Sequence, residues 1–256
     1  MNSTVLHRLK RHPLPVVANF RHSLVLCYAL PRDILTPLLP PGLVLDSFRD
    51  FGFLAIAMVQ TEGLRPAFLP QAFGQDFFLS GYRIFARFET KGGRTLRGPR
   101  ILRSDTDSQR MVRFGNLLTH YQYRLAEVVF SIESKRLKIA ITTPRQEADL
   151  HVIADLHETT YLPPGSPFSD WHQARLFAGP LPFTFDYEAE TNSIVVIEGV
   201  RQKWRPRPVN VQVLRSSFFD SAPFRRTRPV LASAFHVADI PYRWKRGVVE
   251  PLRQSP

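Results

Sequence analysis

Residues 81–124 read GYRIFARFETKGGRTLRGPRILRSDTDSQRMVRFGNLLTHYQYR. Tyr82 to Glu89 and Thr95 to Leu102 alternate apolar and polar residues at the period of a strand and flank Lys91-Gly92-Gly93-Arg94. Tandem glycines permit the positive φ that a tight hairpin turn requires, so the two runs are expected to pair. The first thirty-three positions hold nine basic residues, interleaved with aromatic and aliphatic ones rather than gathered in a solvated tail. A folded segment this rich in guanidiniums aims some of them at a cavity or an anionic ligand, because the guanidinium fork binds carboxylates and phosphates bidentately.

Outward from this hairpin the alternation recurs. Val16 to Leu30, Val44 to Phe48, Phe53 to Thr61, Tyr121 to Glu133, Arg136 to Thr142 and His151 to Thr160 read as strands. So do Phe183 to Glu188, Ile194 to Val200, Val209 to Phe219 and Val230 to Asp239. Helical signals are few: ILTPLL after Pro31-Arg32-Asp33, a segment capped by Ser104 to Asp107 and running to Leu118, and Ser169 to Ala178. Many strands at hairpin spacing with about three short helices predict an α+β, mainly antiparallel β fold. A closed or nearly closed barrel is the economical form, since closure removes unpaired edges. The expected organisation is a loose basic arm over residues 1–14, one domain over 15–247 and a tail over 248–256.

The chain of 256 residues is 44% hydrophobic with 20 Phe, enough to build a core. Its net charge of +12 attracts acidic metabolites, polyanions or anionic surfaces. The basic residues are 28 Arg against 6 Lys, a bias that genome composition also produces, so only clustered arginines carry functional weight. The single cysteine, Cys27, excludes an internal disulfide and a cysteine-based zinc site. No secretory signal and no apolar run of membrane-spanning length is found, so a soluble, cytoplasmic protein is expected. No nucleotide-binding, nucleophile-elbow or zinc-protease motif occurs, and neither a cofactor nor a metal is expected.

Three constellations hold candidate chemistry. Asp105 and Asp107 are paired carboxylates whose structural reading is a helix cap balancing nearby arginines. Lys203-Trp204-Arg205-Pro206-Arg207 combines Arg with Trp, as nucleic-acid stacking does, but its prolines disrupt a recognition helix and a solvated loop is the plainer reading. Arg113 to Tyr123 places His120, which transfers protons near neutral pH, beside Arg113, Asn116, Tyr121 and Tyr123, which can fix a carboxylate or carbonyl.

LPRDILTPLLPPGLVLD, GYRIFARF, the Arg113 to Tyr123 segment and PPGSPFSDWHQARLFAGPLPFTF together resemble the uncharacterised YqjF-like family, domain of unknown function 2071. That resemblance implies the acetoacetate decarboxylase-like superfamily and its cone-shaped antiparallel β-barrel with short helices packed outside. In the decarboxylases the Schiff-base lysine lies seven residues after the arginine of a Gly-Arg-Glu segment. Placing Arg113 on that arginine puts His120 in the lysine position, with Phe114 replacing the glutamate and Tyr121 a second lysine. No lysine occurs between Lys91 and Lys135, and imidazole cannot form an iminium. The resemblance therefore implies the fold and not the decarboxylation.

The resulting expectation is a barrel binding a small carboxylate- or carbonyl-bearing molecule in its lumen. Arg83 and Arg113 clamp the acid, Asn116, Tyr82 and Tyr121 orient it, and His120 is the acid/base group, with lyase- or hydrolase-type chemistry as one reading. Two others stay open: a non-catalytic ligand-binding or interaction protein, and, less favoured, nucleic-acid association through the basic windows. The expected partner is a small anionic or carbonyl-bearing ligand, with no membrane, and an oligomer is compatible with the sequence.

Overall fold

A computed structural model of the chain describes residues 7–179 and 181–252. Its first strands are β1 (Val16–Pro31), β2 (Leu43–Leu45), β3 (Ser47–Phe48), β4 (Phe51–Pro66), β5 (Gln75–Glu89) and β6 (Thr95–Thr106). They are followed by β7 (Tyr123–Leu125), β8 (Glu127–Glu133), β9 (Arg136–Thr142) and β10 (Leu150–Glu158). The last are β11 (Phe183–Glu188), β12 (Ser193–Arg201), β13 (Arg207–Ser216), β14 (Val230–Trp244) and β15 (Val248–Pro251). Among the α-helices are α1 (Arg32–Leu35), α2 (Gln109–Leu118) and α3 (Trp171–Ala178).

Hydrogen bonding runs β12-β11-β6-β5-β4-β1-β14, and β14 returns to β12 through Gly199↔Trp244 and Arg201↔Tyr242. The seven strands so connected close a ring. A second layer, β13-β10-β9-β8, branches from β14. Nearly all pairings are antiparallel, as the alternation predicts; the exceptions are β11 and β7, both parallel to β6. The hairpin across Gly92-Gly93 forms, and Gly93 has φ +75°.

Period-two alternation divides each ring strand between two faces. Leu24 and Leu26 of β1, Ile56 and Met58 of β4, and Tyr82 and Ile84 of β5 pack against Leu137, Ile139, Leu150 and Val152 of the second layer. The opposite face presents Cys27, Ala29, Phe53, Ala55, Phe85 and Ala232 inward, where Phe168, Ala174 and Ala178 close one end of the ring. Thus α3 is an end plug, held because its apolar side meets the ring interior. Burial raises the Cys27 thiol to about 12, so it is a packing group rather than a nucleophile.

Several local expectations are revised. The residues of the expected loose arm that are described are docked: His7 and His12 are buried, Arg11 Nε donates to Glu188 Oε2 at 2.8 Å, and His12 N donates to the Leu118 carbonyl. A fully buried carboxylate that needs a cation is what anchors the arm. The tail contributes β15, which pairs with β12. The helix cap is Ser108, whose Oγ accepts from Met111 N, while Ser104 to Thr106 finish β6. Tyr121 lies outside the strand expected to start there, since β7 begins at Tyr123.

Candidate functional site

The inward phase of β5 runs Phe77, Leu79, Gly81, Arg83 and Phe85, so the strand that supplies apolar packing also delivers a guanidinium to the ring interior. A Cβ at position 81 would lie 2.9 Å from Arg83 Nε, so the side chain fits only because Gly81 has none. The Arg83 Nε is occluded and has no hydrogen-bond partner. Tyr121, Tyr123, Tyr242 and a second guanidinium, Arg201, stand close enough to act on its charge, and no carboxylate among the described residues forms a salt bridge with it. Desolvation dominates and holds its pKa below the ordinary arginine value, although part of its surface is accessible.

Arg201 is the end residue of β12, in phase with Val195, Ile197 and Gly199. Its Nη2 donates to the Leu181 carbonyl at 2.9 Å and to the Tyr242 hydroxyl at 3.1 Å, and its guanidinium lies 5.1 Å from the ring centres of both Trp204 and Tyr242. Its Nε is also buried without a partner. Gly199 leaves the space that the Tyr242 hydroxyl occupies, for a Cβ there would lie 2.0 Å from that oxygen. The Tyr121 hydroxyl is buried and unpartnered, and burial pushes its pKa upward, so it is a neutral donor. Two guanidiniums that act on one another, a free phenol and, among the described residues, no carboxylate paired with either can receive an anion.

A polar cavity of about 340 Å³ lies at the edge of β6, where β11 pairs at Arg100 and β7 pairs from Ser104 to Thr106. Lys10, Arg100, Asn116, His120, Tyr123 and Arg124 are among its walls. Arg100 is paired with Asp186. His120 is half-buried with Nε2 unpartnered; desolvation first, then nearby Lys10, lowers its pKa, which keeps the imidazole neutral at neutral pH. Tyr121 and Tyr123 pack with Val195 and Ile197 of β12 and so stand between this cavity and Arg83.

The expected site residues therefore separate. Arg83 and Tyr121 meet in the lumen, while His120 and Asn116 line the outer cavity. Asn116 is engaged structurally: its Nδ2 donates to the Tyr123 carbonyl and its Oδ1 accepts from Tyr123 N, tying α2 to β7. Arg113 is exposed on α2 and is not brought to either place, because the apolar side of α2, from Met111, faces the barrel. Tyr82 points the other way from Arg83, stacking on Phe218 at 4.2 Å and donating to the Ala148 carbonyl, as its even position in β5 requires. Asp105 is bound by Arg103 Nε, which is the arginine-balancing part of the structural reading, while Asp107 accepts from Phe78 N and neither carboxylate caps α2.

Arg201, Tyr242 and Trp204 enter the site without having been singled out for it. Arg201 has a signal in the sequence, since it falls in phase with Val195 and Ile197 of its strand, whereas Trp204 lies in the loop after β12. Of the six lysines, Lys10 lines the outer cavity and the other five are exposed. No group of three or more potential metal ligands occurs among the described residues, nor any helix long and apolar enough to cross a membrane.

Solved structures share this architecture. Acetoacetate decarboxylase from Legionella pneumophila matches with a TM-score of 0.61 and 14% identity, over 93% of this chain and 87% of that one. The enduracididine biosynthesis enzyme MppR, complexed with the condensation product of pyruvate and imidazole 4-carboxaldehyde, gives 0.62 and 14% over 93% and 89%. An acetoacetate decarboxylase-like enzyme from Sphingomonas wittichii RW1 gives 0.56 and 14% over 97% of both chains. No curated protein matches. These likenesses show an acetoacetate decarboxylase-like fold. The profile of domain of unknown function 2071, described as an uncharacterized conserved protein, matches residues 17–240, and the chain belongs to that family.

Proposed function

We propose that the protein binds a small carboxylate-bearing molecule in its lumen, with Arg83 as the principal anion contact. The observation that carries the reading is the desolvated Arg83 guanidinium, acted on by three tyrosines and by Arg201, with an unpartnered Nε and no salt bridge to a carboxylate among the described residues. Burying a cation without a counter-charge costs several kcal/mol, which a bound acid offsets. Tyr121 supplies a neutral hydroxyl for a carboxylate or an adjacent carbonyl oxygen. Two structures of this fold, both of MppR, hold pyruvate and a pyruvate condensation product, ligands of the proposed chemistry.

Five lysines are exposed and the sixth lies beyond Tyr123, so the luminal site has no amine for an iminium. Under this reading the lumen is a binding site, and acid/base chemistry at His120 belongs to a ligand that reaches the outer cavity. Isothermal titration with pyruvate tests the proposal. One site per chain is expected, lost in Arg83→Met and retained in His120→Gln; equal binding by wild type and Arg83→Met refutes it.

A further inference from the structure

We infer that the cavity beside α3 receives the apolar tail of the luminal acid, which makes the ligand an aryl- or alkyl-substituted carboxylic acid. This rests on the luminal reading above and extends it. The cavity has a volume of about 390 Å³, and its walls include Leu176, Leu181, Pro182 and Trp204. That size falls at the lower end of small-molecule sites, which are mostly apolar with a few placed polar groups.

Arg201 joins this cavity to the lumen. Its guanidinium lies over the ring of Trp204, and its Nη2 donates both to the carbonyl of Leu181, which with Trp204 lines the cavity, and to the hydroxyl of Tyr242, which like Arg201 acts on Arg83. An acid held between Arg83 and Arg201 therefore has its substituent directed along Arg201 toward Trp204 and Leu181. The rim carries Arg97 and Arg175; Asp46 offsets Arg97, so Arg175 is the cation that attracts an approaching anion. Arg97 is fixed by Asp46 at 2.7 Å and donates to the Phe177 carbonyl at 3.0 Å, which holds the end of α3 as a wall. Leu176 projects from that helix with 68% of its surface exposed, an apolar side chain without a partner at the cavity edge.

The test compares pyruvate with phenylpyruvate by isothermal titration on the full chain. Wild type is expected to bind phenylpyruvate at least about tenfold more tightly, as burial of a phenyl ring implies. Leu176→Glu, an exposed position that leaves folding intact, is expected to weaken phenylpyruvate about tenfold and leave pyruvate unchanged; Leu176→Ser should do the same to a smaller degree. Equal affinities for the two acids in wild type, or equal weakening of both by Leu176→Glu, overturns the inference. Retention of pyruvate by Arg83→Met instead overturns the luminal reading, so the two failures are distinguishable. Absence of binding by either acid at millimolar concentration overturns both.

Discussion

Replacing Arg83 with Met should make the unliganded protein more stable. Methionine retains most of the length of the arginine stem and carries no charge to desolvate. The arginine stands beside a like charge, Arg201, and forms no salt bridge with a carboxylate among the described residues. At an effective dielectric of about 20, two like unit charges at close range repel by roughly 2–4 kcal/mol. Removing that repulsion and the desolvation of the guanidinium, less some lost packing against the tyrosines, leaves a net gain of about 2 kcal/mol. In a domain of this size that raises Tm by about 4–8 °C. Saturating ligand reverses the order: at about 100 times Kd it adds about 2.7 kcal/mol to wild type and nothing to the variant. Thermal unfolding monitored by circular dichroism, with and without pyruvate, reads both effects. A lower Tm for Arg83→Met, with equal protection of both proteins by pyruvate, would show that Arg83 is a structural group and that its charge is satisfied internally.

Asn116→Ala removes both bonds between α2 and the Tyr123 backbone; urea unfolding should show a loss of about 2 kcal/mol, and faster amide exchange at Tyr123 should accompany it. Gly199→Ala drives a methyl into the Tyr242 hydroxyl; it should destabilise by about 1–3 kcal/mol, with part of the loss recovered in the double variant carrying Tyr242→Phe. Burial raises the Glu188 pKa, but Arg11 and Thr191 outweigh burial and hold it below 4.5. A depressed carboxyl contributes stability above its unfolded pKa and loses it as pH falls through the folded value. Proteolysis of the docked arm should therefore increase on acidification below about pH 4.5, and Glu188→Gln should remove the pH dependence. Borohydride reduction with pyruvate should leave no lysine adduct; an adduct mapped to Lys10 would overturn the separation of that residue from the luminal acid.

The fold was legible because its strands alternate plainly and are punctuated by turns such as Gly92-Gly93. The same alternation holds Arg83 in phase with Phe77, Leu79 and Phe85, which is why that luminal residue could be expected from sequence. It also contradicts grouping Tyr82 with Arg83, since adjacent strand residues point to opposite faces. Arg113 stays outside because clustering in sequence is not convergence in space: α2 presents Met111 inward and turns Arg113 to solvent. Arg201 and Tyr242 were harder, for they come from β12 and β14, strands brought together by the one pairing that closes the ring. That contact joins residues far apart in sequence, and no local pattern announces it. The docking of residues 7–14 was illegible for a similar reason, because its anchor, Glu188, lies 177 positions from Arg11.

The pairing of β1 with β14 sets the order in which the molecule can be completed as it is synthesised. Val16 lies opposite Trp244, so the wall of the barrel is stitched between an early and a late segment. At about 5–20 residues per second, β1 leaves the ribosome on the order of ten seconds or more before its partner exists. Over that interval β4 can cover one side of β1, but its other edge, and that of β12, remain open to any passing strand. Contacts this distant along the chain also slow the final closure. The nascent protein is therefore most prone to association just before Trp244 emerges, and a translational pause upstream of residue 230 should lower the soluble yield more than one placed after β15.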